Sequence, residues 1–416
     1  MGRLIAIILS SLTLPYLRIQ IMGRMLSIPV LLILGLASLK IIRLAIIRDR
    51  SRKTVKICKW IDLLLYLFVI CSFISTICIS HHFIFLAELS VYVCCFLYIT
   101  RLNIRIGSRL EYINVCFIIV TLTATVIGLS NYFAGITYSF SLLPTDRAMG
   151  TRNSDVFFAS SGLCFAIPLI FYSKYTNISP RYKWIINLMA ILYVSLLPLA
   201  VIFSFSRGFS VISFLCIAFI FLVYLRLEGK FIHRRMIVIL ALVFIFYESL
   251  HEAIQLGSFN ILMSRFRQLE ESERINLAIE AFKLGIQNPL FGIGLDNYSM
   301  VTNLFTPGSH SPYAHCHNSY LNLFAEMGVP GITIYSLFIF LPLYAYSKLL
   351  GQMRRALPGY KLIYLSGYSV QFFICLVSFT SAYYNYWYFW LLAAISVLFL
   401  RIITLSTFCR INGSLT

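Results

Sequence analysis

The sequence predicts an all-α, polytopic membrane protein of about twelve transmembrane helices, and three observations carry that prediction. Of its 416 residues, 60% are hydrophobic and only 12% charged, which is more apolar surface than a soluble domain of that size can keep from water. Apolar runs of about 20 residues, the length that crosses a hydrocarbon core, recur from end to end and leave no soluble domain. The 34 Lys and Arg, against 15 Asp and Glu, are spaced between those runs and fall mostly on one side.

In order, the expected spans are roughly 4–17, 25–47, 61–80, 83–100, 111–133, 154–173, 184–204, 208–226, 235–250, 319–347, 361–382 and 386–406, each edge good to about 2–4 residues. The first is short and follows Arg3, as a signal peptide would. No small-residue cleavage site comes after it and a second apolar run begins at once, so it reads as a span. With both termini cytoplasmic, 25 of the 34 Lys and Arg lie inside and 9 outside, the asymmetry that orients bacterial inner-membrane proteins. The net charge of +19, which in a soluble chain would suggest nucleic acid, is therefore a matter of loops facing lipid headgroups. Only Cys316 of the eleven Cys falls in an outward-facing loop, so no intramolecular outer disulfide is expected. The chain divides into N-terminal helices (1–133), central helices (134–250), one long periplasmic loop (251–318) and C-terminal helices (319–416).

That loop is the leading functional segment, because most other connections are short. Within it, Ser272 can cap a helix whose apolar positions Ile275, Ile279, Phe282 and Ile286 follow helical spacing, and Asn288-Pro289 stops it. Such a helix would lie on the bilayer surface. Arg274 in its first turn would join the helix N-terminus in favouring an anion such as pyrophosphate; the alternative is a snorkelling or salt-bridged surface Arg. Phe291-Gly292-Ile293-Gly294 follows, a tight turn without the Lys-Ser/Thr of a phosphate-binding Walker loop, so ATP is not indicated. The loop closes on Ala314-His315-Cys316-His317-Asn318-Ser319-Tyr320-Leu321, with Glu326-Met327-Gly328 beyond. Imidazole titrates near neutrality, so His317 can take a proton from an acceptor hydroxyl, unless it is a plain interfacial histidine. A zinc site from His310, His315, Cys316 and His317 matches no standard structural zinc spacing.

Elsewhere, Phe203-Ser204-Phe205-Ser206-Arg207-Gly208 places one Arg in a turn at or just outside bilayer depth, where a charge is costly without a partner or a headgroup. The outer segment 146–155 adds Arg147 and Arg152 beside Asp146 and Asp155. Glu88 is embedded in the fourth span, as a site or as a packed, neutral acid. The chain has five Asp and no Asp-x-Asp pair to chelate a metal-bound nucleotide sugar, which argues against a cytoplasmic nucleotide-sugar transferase.

Ser206-Arg207-Gly208 at a helix start, Arg274 with its amphipathic helix and Asn288-Pro289-Leu290-Phe291-Gly292-Ile293-Gly294, then His317-Asn318-Ser319-Tyr320-Leu321 with Glu326 and Gly328, resemble the O-antigen ligase and O-antigen polymerase family of bacterial envelope enzymes. The resemblance holds in order and spacing over roughly residues 145–345, while the first four helices match only as hydrophobic spans. It implies a fold of the membrane-embedded C-type glycosyltransferase kind. It further implies transfer of a glycan from undecaprenyl pyrophosphate to a sugar hydroxyl of a glycan or of lipid A core, without metal, nucleotide or other cofactor. Carried over by motif, Arg207 and Arg274 would bind the pyrophosphate, with Arg147 and Arg152 as further cations. His317 would activate the acceptor, with Asn318, His315 and Glu326 as secondary candidates. One departure is that Arg274 follows Ser272-Glu273, whereas many members have Gly before this Arg. The competing class is a transporter or lipid-glycan flippase, which should line a central cavity with charged groups from several helices; here the outward candidates gather in loops and helix ends.

Overall fold

The computed structural model describes residues 18–21, 24–27, 56–80, 83–101, 110–133, 153–176, 178–203, 207–229, 273–298, 301, 316–380, 382, 384 and 386–411. The expected spans at 4–17 and 235–250 lie outside them. Among the described residues the fold is helical, apart from one antiparallel ribbon of β1 (Arg18–Ile21) and β2 (Arg24–Ser27). β2 corrects the expected start of the second span at residue 25. Arg18 pairs with Ser27 and Ile21 with Arg24, so this short connection folds back as an antiparallel ribbon.

The helices are α1 (Lys56–Ser75), α2 (Phe83–Thr100), α3 (Glu111–Phe133), α4 (Asn153–Ser161), α5 (Leu163–Tyr172), α6 (Pro180–Phe203), α7 (Arg207–Glu228), α8 (Glu273–Gln287), α9 (Ser319–Met353), α10 (Pro358–Val377) and α11 (Trp387–Ile411). Seven of those described are long and apolar enough to cross a membrane. α1 runs on into a π-helical turn, Thr76–Ser80. The single span expected at 154–173 is two helices broken at Gly162, where a Cβ would sit 2.3 Å from the Thr121 hydroxyl oxygen and so force α5 away from α3.

α10 is the hub, packing on α5, α7, α9 and α11, while α1 packs along α9 and α11 along α2. Its core is aromatic: Trp390 is fully buried and lies within 6.5 Å of the Phe68, Phe96, Phe338 and Phe389 rings. At one end of the bundle the basic residues assigned to the inner side gather at helix ends. Lys361 Nζ donates to Glu228 Oε1 at 3.1 Å, and the Tyr172 hydroxyl shares that oxygen at 2.8 Å. Arg354 Nε donates to the Arg226 carbonyl at 2.8 Å, Arg101 pairs with Asp62 at 3.2 Å, and Arg401 donates to the Thr100 carbonyl at 2.6 Å. The Arg226 and Thr100 carbonyls, in the last turns of α7 and α2, thus gain donors that the helix itself does not supply there.

Candidate functional site

The opposite end of the bundle is built around a break in α9. Its apolar sequence reads as one span, but Gly328 has φ 66° and ψ −158°, which no helical residue adopts. The segment 319–327 consequently folds back along the rest of the helix. The Tyr320 ring lies 5.4 Å from Tyr335 and 6.2 Å from Phe340, residues that a straight helix would place roughly 20–30 Å away. Gly331 permits the return, since a Cβ there would stand 3.1 Å from the Leu323 carbonyl oxygen.

Residues 289–294 are pinned to this break. Ile293 N–H donates to the Ala325 carbonyl at 2.8 Å, Gly294 N–H to that of Glu326 at 3.0 Å, and Val329 N–H to that of Pro289 at 2.7 Å. Gly292 and Gly294 hold φ of 66° and 97° in this tight turn, conformations that favour glycine. From α1, Ser75 braces the same point: its hydroxyl donates to the Glu326 carbonyl at 3.1 Å and accepts from Leu295 N–H at 3.0 Å.

α8 lies along the returning half of α9. Gly285 presses on the Phe324 ring, and one turn later Pro289 meets Val329. Ala281, Tyr298, Cys316 and Ala325 fill the seam with Leu277 and Leu321. The other face of α8 is apolar and exposed, with Ile275, Ile279, Phe282 and Ile286 each about half exposed. These are the positions expected to meet the bilayer surface.

The start of α9 is set by Asn318, whose side-chain oxygen accepts from Tyr320 N–H at 2.9 Å and Leu321 N–H at 3.1 Å, an N-cap. Ser319 N–H donates to the Ser378 carbonyl at 2.8 Å, just past the end of α10. The α9 amides are thereby satisfied, and this helix contributes its dipole rather than free donors. His317, immediately before the cap, has φ 51°, a left-handed conformation costing about 1–3 kcal/mol that recurs at functional sites. The start of α7 joins this group, because a Cβ on Gly208 would lie 3.6 Å from the Thr380 side chain, two residues after Ser378.

Of the residues singled out by sequence, the structure brings together the backbone positions of Arg207, the first residue of α7, and of His317 and Asn318 at the start of α9. Arg274 is the second residue of α8, the helix packed along the returning half of α9. Arg147, Arg152, His310 and His315 lie outside the described residues. Glu326 is not at the mouth: it is 1% exposed, beneath the break. Cys316 is also buried, and burial pushes its thiol up to about 12, so it packs as a small apolar group. Three residues that sequence reasoning passed over, Ser75, Asn322 and Tyr384, complete the polar interior, and no motif marked them.

Residues 189–336 match the family model described as O-antigen ligase. That stretch runs from within α6 to the second half of α9 and contains the starts of α7, α8 and α9. Over that stretch the chain is similar to the O-antigen ligase family, and its long apolar helices make it a multi-pass membrane protein. None of the curated proteins matches it.

Proposed function

We propose that the protein transfers a glycan from undecaprenyl pyrophosphate to a sugar hydroxyl at the periplasmic face of the bacterial inner membrane, as an O-antigen ligase or polymerase. The observation that carries this reading is that the starts of α7 and α9 meet at the end of the bundle opposite the basic helix ends, with α8 packed against the returning half of α9. Each N-terminus carries about half a positive elementary charge, and Arg207 and Arg274 add two guanidiniums in first turns. A diphosphate is the group such a place holds. As the anomeric bond breaks, negative charge grows on the departing diphosphate, where fixed cations and dipoles stabilise it without reorganising. His317 takes the proton from the acceptor hydroxyl as that oxygen attacks the anomeric carbon. One direct displacement inverts the anomeric centre, unlike the double displacement of retaining glycosidases.

Arg207→Lys and Arg274→Lys keep the charge but lose the planar fork. Each should lower transfer by about tenfold or more if the diphosphate is held bidentately. Wild-type transfer by both variants, measured with purified enzyme and lipid-linked glycan, would reject the role. If Arg274→Lys alone is silent, Arg147 or Arg152 becomes the better second ligand.

The orientation rests on the 25-to-9 division of basic residues. Ser258→Cys in a Cys-free background should react with a membrane-impermeant thiol reagent in intact spheroplasts. Labelling that appears only after lysis would put the loop on the cytoplasmic side and remove the periplasmic assignment.

A further inference from the structure

Beneath the site, one chain of hydrogen bonds crosses from the His317 segment to α8. The Cys316 thiol contacts the Asn322 side-chain oxygen at 3.7 Å, and the Asn322 amide donates to the Tyr384 hydroxyl at 2.5 Å. That hydroxyl donates to Glu326 Oε2 at 2.9 Å. Glu326 Oε1 accepts from Tyr298 N–H at 3.4 Å, and the Tyr298 hydroxyl donates to the Leu277 carbonyl of α8 at 2.5 Å. Asn322, Glu326, Tyr298 and Tyr384 are all essentially buried. Tyr384 comes from the α10–α11 connection.

We propose that Tyr384 and Glu326 are positioning residues that hold the His317 segment in fixed register with the Arg274 helix, acting through hydrogen bonds and not by transferring a proton to or from substrate. The inference rests on the transfer reading above. Its physical basis is that both carboxylate oxygens are occupied from within the protein and neither reaches the mouth where His317 sits. Burial, and then the neighbouring Glu326, push the Tyr384 phenol well up, so it remains a donor at working pH. α8 and the start of α9 are separate pieces of chain, so contact alone would let one slide on the other. Tyr384 bonds to Asn322 and Glu326, one turn apart on the same segment of α9, and so fixes the Glu326 carboxyl, whose other oxygen holds Tyr298, the residue that reaches the Leu277 carbonyl of α8; a 1 Å displacement of a catalytic group can cost about 10² in rate. A buried network of this kind is stabilising only while every member is satisfied.

The experiment measures kcat and donor KM per mole of monodisperse purified enzyme for Tyr384→Phe, Glu326→Gln, Glu326→Ala and His317→Ala. Tyr384→Phe keeps the ring and removes only the hydroxyl. It should lower kcat by about 10- to 100-fold, with donor KM within about twofold. Glu326→Gln keeps an acceptor for only one of the Tyr384 and Tyr298 donors and should fall less than Glu326→Ala, which should fall as far as Tyr384→Phe. Full kcat in Tyr384→Phe overturns the proposal. So does full kcat in Glu326→Ala, which removes both bonds of the carboxyl. An active His317→Ala would remove the reading underneath; an inactive His317→Ala beside a fully active Tyr384→Phe removes this inference alone.

Discussion

His317→Ala should insert, fold and still bind the lipid-linked glycan, yet transfer it about 10²–10⁴ times more slowly. The reasoning separates a base from a structural histidine. His317 precedes the N-cap and lies outside the helix, so its loss leaves the Asn318 cap, the Ser319–Ser378 bond and the Gly292–Glu326 contact in place. It also relieves a left-handed φ of 51° at a non-glycine residue only if glycine replaces it. His317→Gly should therefore be at least as stable as His317→Ala and equally inactive, a pairing that a folding defect would not produce. Quantifying membrane-inserted protein, donor binding and product per mole of enzyme distinguishes these outcomes, and near-normal transfer by His317→Ala would end the general-base role. His315→Ala, two residues earlier and without the adjacent Asn, should be milder. In cells, the same strain divides the two acceptor classes. A lost ligase strands long polymer on its lipid carrier, and a lost polymerase leaves single repeat units capped onto core.

What the sequence reveals of this molecule depends on the range of the interaction that fixes each part. Hydropathy is local, so α1, α2, α3, α6, α7, α10 and α11 fall close to the expected spans. α8 is legible too, because Ile275, Ile279, Phe282 and Ile286 recur at helical spacing before Asn288-Pro289. The break in α9 was written in Gly328-Val329-Pro330-Gly331, but an apolar count runs through it and reads a straight span. Gly162 hides in the same way, since its reason is a Thr121 side chain on another helix. Glu326 could be noticed as a rare embedded acid, though not its depth or its partner. Tyr384 could not be found at all: it is one of 26 Tyr, and its meaning comes from bonds to residues 58 and 62 positions earlier.

Gly292→Ala and Gly328→Ala should each collapse the site, and by the same contact seen from its two sides. A Cβ at Gly292 would stand 2.2 Å from the Glu326 carbonyl carbon, and one at Gly328 would stand 2.3 Å from the Pro289 carbonyl oxygen. Both obstacles are backbone, so neither can rotate away. Both glycines also hold φ of 66°, which costs an L-residue about 1–2 kcal/mol. Overpacking adds about 1–3 kcal/mol, so each variant should lose about 2–5 kcal/mol of local stability. The loss is concentrated where the Ile293, Gly294 and Val329 bonds join the turn to the break, and where Ser75 braces it from α1. Separating them frees α8 from the returning half of α9 and with it the register between Arg274 and His317. Transfer should fall below detection, while the bundle end that carries Lys361, Glu228 and Tyr172 stays intact. Gly351→Ala is the matched control. No atom lies within 4 Å of its added Cβ, it sits inside α9, and alanine there should stabilise by up to about 1 kcal/mol. Thermal unfolding in detergent and transfer assays on the three variants decide the matter: wild-type melting and activity in Gly292→Ala and Gly328→Ala would mean that the turn and the break are not held together as described.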